Sequence, residues 1–155
     1  MRPLQSLFRL ALGERRARIA GTIQVDALRS AVTIRRDEHG IPYIEADNDE
    51  DAWYGLGFCQ GQDRAFQIET LIRACRGRLA EIAGKDAVSM DRLSRRIGFR
   101  RIAEKQLPLL DDDVRLQIEA YCRGATDGAR IGSDGRAHEL TVLGIEPTPL
   151  EPADV

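Results

Sequence analysis

The chain has 155 residues, 43% hydrophobic and 31% charged, with a formal net charge of −2. That composition suits one modest folded domain and excludes a chain disordered throughout. The charge balance gives no global field to recruit nucleic acid or anionic lipid, and no apolar run reaches the length of a membrane span.

In chain order, Leu4, Leu7, Phe8 and Ala11 or Leu12 fall on one side of an amphipathic helix over about 3–12, stopped near Gly13. Arg9 interrupts the apolar patch, so the segment is a poor export signal. Residues 1–19 are read as a separate amphipathic or poorly ordered segment, and 20–155 as the domain proper. The expected compartment is the cytoplasm, with the periplasm second.

Gly21 to Val25 alternates as a short strand. Ala31 to Arg36 and Ile41 to Ala46 alternate as two further strands joined by the turn Asp37-Glu38-His39-Gly40. Asp47 or Asn48 caps a helix whose first turn is acidic. That helix carries Ala52, Leu56, Cys59, Phe66, Leu71 and Ile72, and also Gly55, Gly57 and Gly61. Each glycine lowers helix stability by up to about 1 kcal/mol relative to Ala. Two explanations stand: another backbone packs against the glycine face, or the helix breaks near Gly61.

Gly77 and Gly84 bracket a short helix at Arg78 to Ala83. One helix is expected over Ser89 to Gln106, ended by Pro108. Asp111 to Asp113 open another, with an apolar stripe of Val114, Ile118, Tyr121, Cys122 and Ala125 that fades near Gly128 or Gly132. Residues 133–136 read as loop, Leu140 to Leu143 as a short apolar element, and Pro147, Pro149 and Pro152 as an extended tail. The fold class is α+β: a hairpin or small meander, then about five helices.

Few residues invite a catalytic reading. Cys59, Cys75 and Cys122 form no complete disulfide framework and read as small buried hydrophobes. With no C-x-x-C and only His39 and His138, a zinc site is not expected. His39 sits in a turn without a nearby nucleophile, which favours a turn role over a general base. Adjacent Asp63 and Arg64 cannot face each other on a helix, so each needs other partners. Both read as structural, with the Arg64 stem packed and its head paired. Asp111 to Asp113 suit a helix N-terminus better than a metal cluster. Arg92, Arg96 and Arg100 fall at i, i+4 and i+8 on the expected 89–106 helix. Without basic net charge or interleaved aromatics, that stripe reads as a solvated face, with phosphate binding a minor alternative.

Several motifs occur together in one order: Arg36-Asp37-Glu38-His39-Gly40-Ile41-Pro42-Tyr43-Ile44, Asp51-Ala52-Trp53-Tyr54-Gly55-Leu56-Gly57-Phe58, Gln62-Asp63-Arg64-Ala65-Phe66-Gln67, Arg76-Gly77-Arg78-Leu79-Ala80-Glu81, Ile118-Glu119-Ala120-Tyr121 and Leu143-Gly144-Ile145-Glu146-Pro147. In joint order and spacing they resemble the N-terminal part of the α chain of penicillin acylases. The resemblance implies part of an αββα hydrolase folded as one precursor. Its nucleophile is a Ser, Thr or Cys exposed at the start of a separate β chain, whose own α-amine acts as base. An α-amine with a pKa near 7.7–8.0 suits that task at neutral pH. The resemblance also implies a small-molecule amide substrate, such as a β-lactam side-chain amide or an N-acyl homoserine lactone, and a possible calcium ion in the complete enzyme.

No catalytic, cofactor-binding or metal-binding residue carries over onto this sequence. Arg2 is no nucleophile, and the tail has Leu150-Glu151-Pro152 where many relatives place Trp for Leu. The chain reads as a fragment or truncation, ending where the next helix is expected to begin. It is expected to act as scaffold and folding partner of a β chain, inactive alone. The alternative is a non-catalytic helical interaction module.

Overall fold

The computed structural model describes residues 16–134 and 137–155. The helix expected over 3–12 lies outside the described residues. Two strands, β1 (Thr33–Arg36) and β2 (Pro42–Glu45), pair antiparallel with Ile34 opposite Ile44 and Arg35 opposite Tyr43. Asp37 makes the turn: its Oδ1 accepts the N–H of His39 at 2.9 Å and of Ile41 at 2.8 Å, and Gly40 takes φ 80°.

Six α-helices follow among the described residues: α1 (Asp49–Arg76), the single-turn α2 (Ala80–Ala83), α3 (Val88–Ile97), α4 (Phe99–Gln106), α5 (Asp112–Ile131) and α6 (His138–Leu143). The α+β reading therefore holds. Asn48 caps α1 by accepting the N–H of Asp51, and three acids fill the first turn. At the other end Gly77 adopts the left-handed conformation. Its N–H bonds to Ala74 and that of Arg78 to Arg73, the double closure of a Schellman stop.

The core is the crossing of α1 and α5. A Cβ added at Gly57 would collide with the Tyr121 carbonyl, and one at Gly61 with that of Ala125. Reciprocally, a Cβ at Gly124 would strike the carbonyl of Tyr54, and one at Gly128 that of Phe58. Four glycines thus let two helix backbones meet without side chains between them. The break left open near Gly61 is also present, displaced to Arg64, whose φ −132° and ψ 24° kink α1. The seam runs as far as Gln62, which lies beside Gly128 and Gly132, and the kink follows at Arg64.

Three expectations change. Gly21 to Val25 forms no strand. Alternation alone does not make one without an edge to pair with, and the segment instead lays Ile23 and Val25 against the buried Tyr54, Phe58 and Ala120. The helix expected over Ser89 to Gln106 is two helices. Gly98 stops α3 with φ 78° and ψ 43°, and the chain restarts as α4. The short helix after Gly77 begins at Ala80 rather than Arg78. The tail is extended, as expected, before a closing 3₁₀ turn at Pro152–Asp154.

Candidate functional site

The chemistry-bearing side chains in the interior are carboxylates, and each fastens a distant stretch of chain. Asp51 is 1% exposed and accepts the N–H of Arg29 at 3.0 Å and of Ser30 at 2.9 Å, holding the segment before β1 on the start of α1. Glu69 is also 1% exposed. It accepts the N–H of Thr148 at 2.6 Å and its hydroxyl at 2.8 Å, and pairs with Arg73 one turn on. Asp91 accepts the N–H groups of Leu79 and Ala80, capping α2 from α3. Asp154 receives the Arg76 Nε at 2.9 Å and lies 3.4 Å from Arg100, so its carboxylate joins the tail to α1 and α4.

These groups are committed to the fold. Their carboxylate lone pairs are filled by donors from distant parts of the chain. Burial alone would raise the Asp51 pKa, but the hydrogen bonds from Arg29, Ser30 and Asn48 outweigh it and hold the group below its ordinary value. Tyr54 donates to Asp127 at 2.6 Å, and burial with that hydrogen bond pushes its phenol well above the usual range. Burial raises Cys59 and pushes Cys122 up to about 12. Both are buried free thiols, inert as nucleophiles because the thiolate is the reactive form. Cys75 is half-buried.

The residues singled out from sequence separate. Asp63 pairs with Arg36, which also reaches Gln62 and the Gly40 carbonyl, tying the hairpin to α1. Arg64 does not share that role. It is exposed at the kink, and the packed, paired position expected of it is overturned. The helix turns so that Asp63 meets the hairpin and Arg64 meets solvent. His39 is exposed, its ring Nε2 3.7 Å from Glu38, and it serves the turn. Asp112 pairs with Arg115 within α5. The arginine stripe does not form, because Gly98 parts Arg100 from Arg92 and Arg96; Arg100 bonds Glu104 and Glu151 instead.

Sequence reading missed the four fastening acids. Only Asp51, placed in an acidic first turn, carried a local signal; the partners of Glu69 and Asp154 lie 79 and 78 residues away. Among the described residues no group of three or more His, Cys, Asp and Glu side chains is placed to hold a metal.

The outer surface contrasts with this satisfied interior. Met90, Leu93 and Ile97 on α3 and Phe99 and Ile102 on α4 are between 42% and 50% exposed. A cleft of about 330 Å³ between α1 and α5 is lined by Trp53, Leu56, Val114, Ile118 and Tyr121. A second space of about 420 Å³ lies under the 18–34 segment against Tyr54 and Phe58. No helix among the described residues is long and apolar enough to cross a membrane.

The sequence profile of the penicillin amidase family matches residues 31–155. The chain belongs to the penicillin amidase family. It is 34% identical over 134 residues to penicillin acylase 2 proenzyme of Pseudomonas sp. strain SE83, covering 86% of this chain and 17% of that protein. It is 34% identical over 105 residues to the acyl-homoserine lactone acylase QuiP of Pseudomonas fluorescens Pf-5, covering 68% of this chain and 13% of that one. The chain thus spans about one sixth or less of the length of these penicillin amidase relatives. The fold is similar to thermostable penicillin G acylase from Alcaligenes faecalis, with TM-score 0.70 and 27% identity over 80% of this chain and 67% of that one.

Proposed function

We propose that this chain is the N-terminal α-chain portion of an amidohydrolase that cleaves a non-peptide amide, with the nucleophile supplied by the first residue of a β chain from the same precursor. The observation that carries this reading is the pairing of a saturated interior with unsatisfied apolar faces. The buried acids bind chain to chain and the buried thiols are protonated, while α3 and α4 present apolar stripes to solvent. Such a body organises other polypeptide better than it reacts.

The names of its relatives give two substrate classes, β-lactam side-chain amides and N-acyl homoserine lactones. In the complete enzyme an α-amine near its ordinary pKa would take the nucleophile's proton, and preorganised N–H donors would hold the oxyanion of the tetrahedral intermediate. This chain's residues contribute by fixing the hairpin, α1 and the tail relative to one another.

The test is reconstitution. The chain alone is expected to release no product from phenylacetyl amides, aliphatic acyl amides or acyl-homoserine lactones. Joined to a spacer and a β chain beginning with Ser, Thr or Cys, it is expected to do so. Turnover by the purified chain alone, abolished by a point change within it, would overturn the reading.

A further inference from the structure

The arginines of this chain divide by place. Those over the α1–tail junction are paired: Arg73 with Glu69 and Glu81, Arg76 with Asp154, Arg100 with Glu104 and Glu151. Arg92 and Arg96 on α3 are exposed and have no ion-pair partner among the described residues. They lie at i and i+4, so they form one cationic edge of the helix. Beside that edge run Met90, Leu93 and Ile97, at i, i+3 and i+7, 49%, 50% and 42% exposed. The flank of α3 next to Met90 and Ile97 is buried through Asp91 and Ser94, on the side away from Arg92 and Arg96. A half-exposed apolar stripe set between the buried flank and an unpaired cationic border has the anatomy of an interface core and rim.

We infer that the Met90–Leu93–Ile97 stripe is the docking face for an apolar segment of the remaining precursor that carries carboxylates opposite Arg92 and Arg96. The inference rests on the proposed α-chain role. The occupant is chosen on two observations. The penicillin acylase 2 proenzyme has most of its length outside the matched region, since this chain spans 17% of it. The rim is cationic on a chain of net charge −2, so its complement is acidic polypeptide and not a second copy of the same face, which would set arginine against arginine. A phospholipid surface would satisfy the same rim and is an outcome of the test.

The chain is co-expressed with the polypeptide of the strain SE83 proenzyme lying C-terminal to the matched region, and its retention on that tagged polypeptide is measured. The unaltered chain is expected to be retained. The double change Leu93→Asp and Ile97→Asp is expected to weaken retention about tenfold or more, because it puts charge into the centre of the apolar contact. Its circular dichroism and melting should stay unchanged, as both side chains lie outside the core. Should melting shift, Arg92→Glu with Arg96→Glu decides, with weakening at low salt that fades at high salt. Retention of the double aspartate variant equal to that of the unaltered chain overturns the inference. So does failure of the unaltered chain to be retained, stripe-dependent dimerisation, or stripe-dependent binding to vesicles of phosphatidylglycerol. Amidase turnover is assayed on the same complex. A stripe-dependent complex without turnover leaves the docking face standing and sinks the proposed function.

Discussion

Asp51 shows how one residue ties sequence to fold here. Its place in the acidic first turn of α1 is legible from sequence, but its carboxylate faces inward to the N–H groups of Arg29 and Ser30. Removing a buried charged acceptor strands those donors, at about 1.5–3 kcal/mol for each bond. Asp51→Ala is expected to destabilise the chain by about 3 kcal/mol, measured by urea unfolding. The pH dependence follows in sign. The folded pKa is depressed, so the contribution is complete above the unfolded value of about 3.9 and is lost as pH falls through the lower folded value. Stability measured from pH 5 downward should fall, and Asp51→Asn should flatten that limb. Arg64 gives the opposite case. The sequence places it among apolar residues, yet the kink turns it to solvent. Arg64→Ala is expected to change stability by less than about 0.5 kcal/mol, as for other exposed sites. A loss of several kcal/mol would show a hidden partner.

At the scale of elements, the crossing of α1 and α5 is set by reciprocal glycines. Gly124 meets the Tyr54 carbonyl and Gly57 the Tyr121 carbonyl, with no room for a Cβ on either side. Helix backbones this close cannot yield locally, so Gly124→Ala is expected to cost about 3 kcal/mol or more, read by thermal melting. Gly84 has open space around it, and its alanine variant should bear only the strain of φ 76°. A Gly124→Ala protein as stable as its parent would refute the seam. Gly57 and Gly61 stood out in the sequence, but Gly124 on the partner helix did not, because a gap in a helix face does not say what fills it. The hairpin and the ends of α1 were legible for a local reason: Asp37, Gly40, Asn48 and Gly77 act on backbone within a few residues of themselves. The end of α3 was not, since Gly98 inside a helical pattern is tolerated as often as it terminates one. Nor was the clasp from Glu69 to Thr148, whose 79-residue separation leaves no periodic trace.

At the scale of the molecule, the buried core is small. Among the described residues it contains two aromatic rings, Tyr54 and Phe58, and its other buried hydrophobics are chiefly alanine and cysteine with Ile72 and Leu140. Leu71 and Ile72, adjacent on α1, divide at the surface: Ile72 is 3% exposed and Leu71 64%. The glycine face of α1 is closed by α5 of the same chain. Exposed apolar side chains cluster along α3 and α4, while others stand singly at Ile41, Tyr43, Leu71, Leu109 and Val142. A body of this kind holds its topology through clasps and seam while leaving apolar surface wet. The isolated chain is expected to bind the dye ANS, which reports accessible apolar clusters, while still melting cooperatively. Leu93→Asp with Ile97→Asp should remove a large share of the dye signal without shifting the melt. Dye binding that persists unchanged in that variant would place the exposed surface elsewhere, and an ANS-silent chain would mean that the faces of α3 and α4 close on one another in solution.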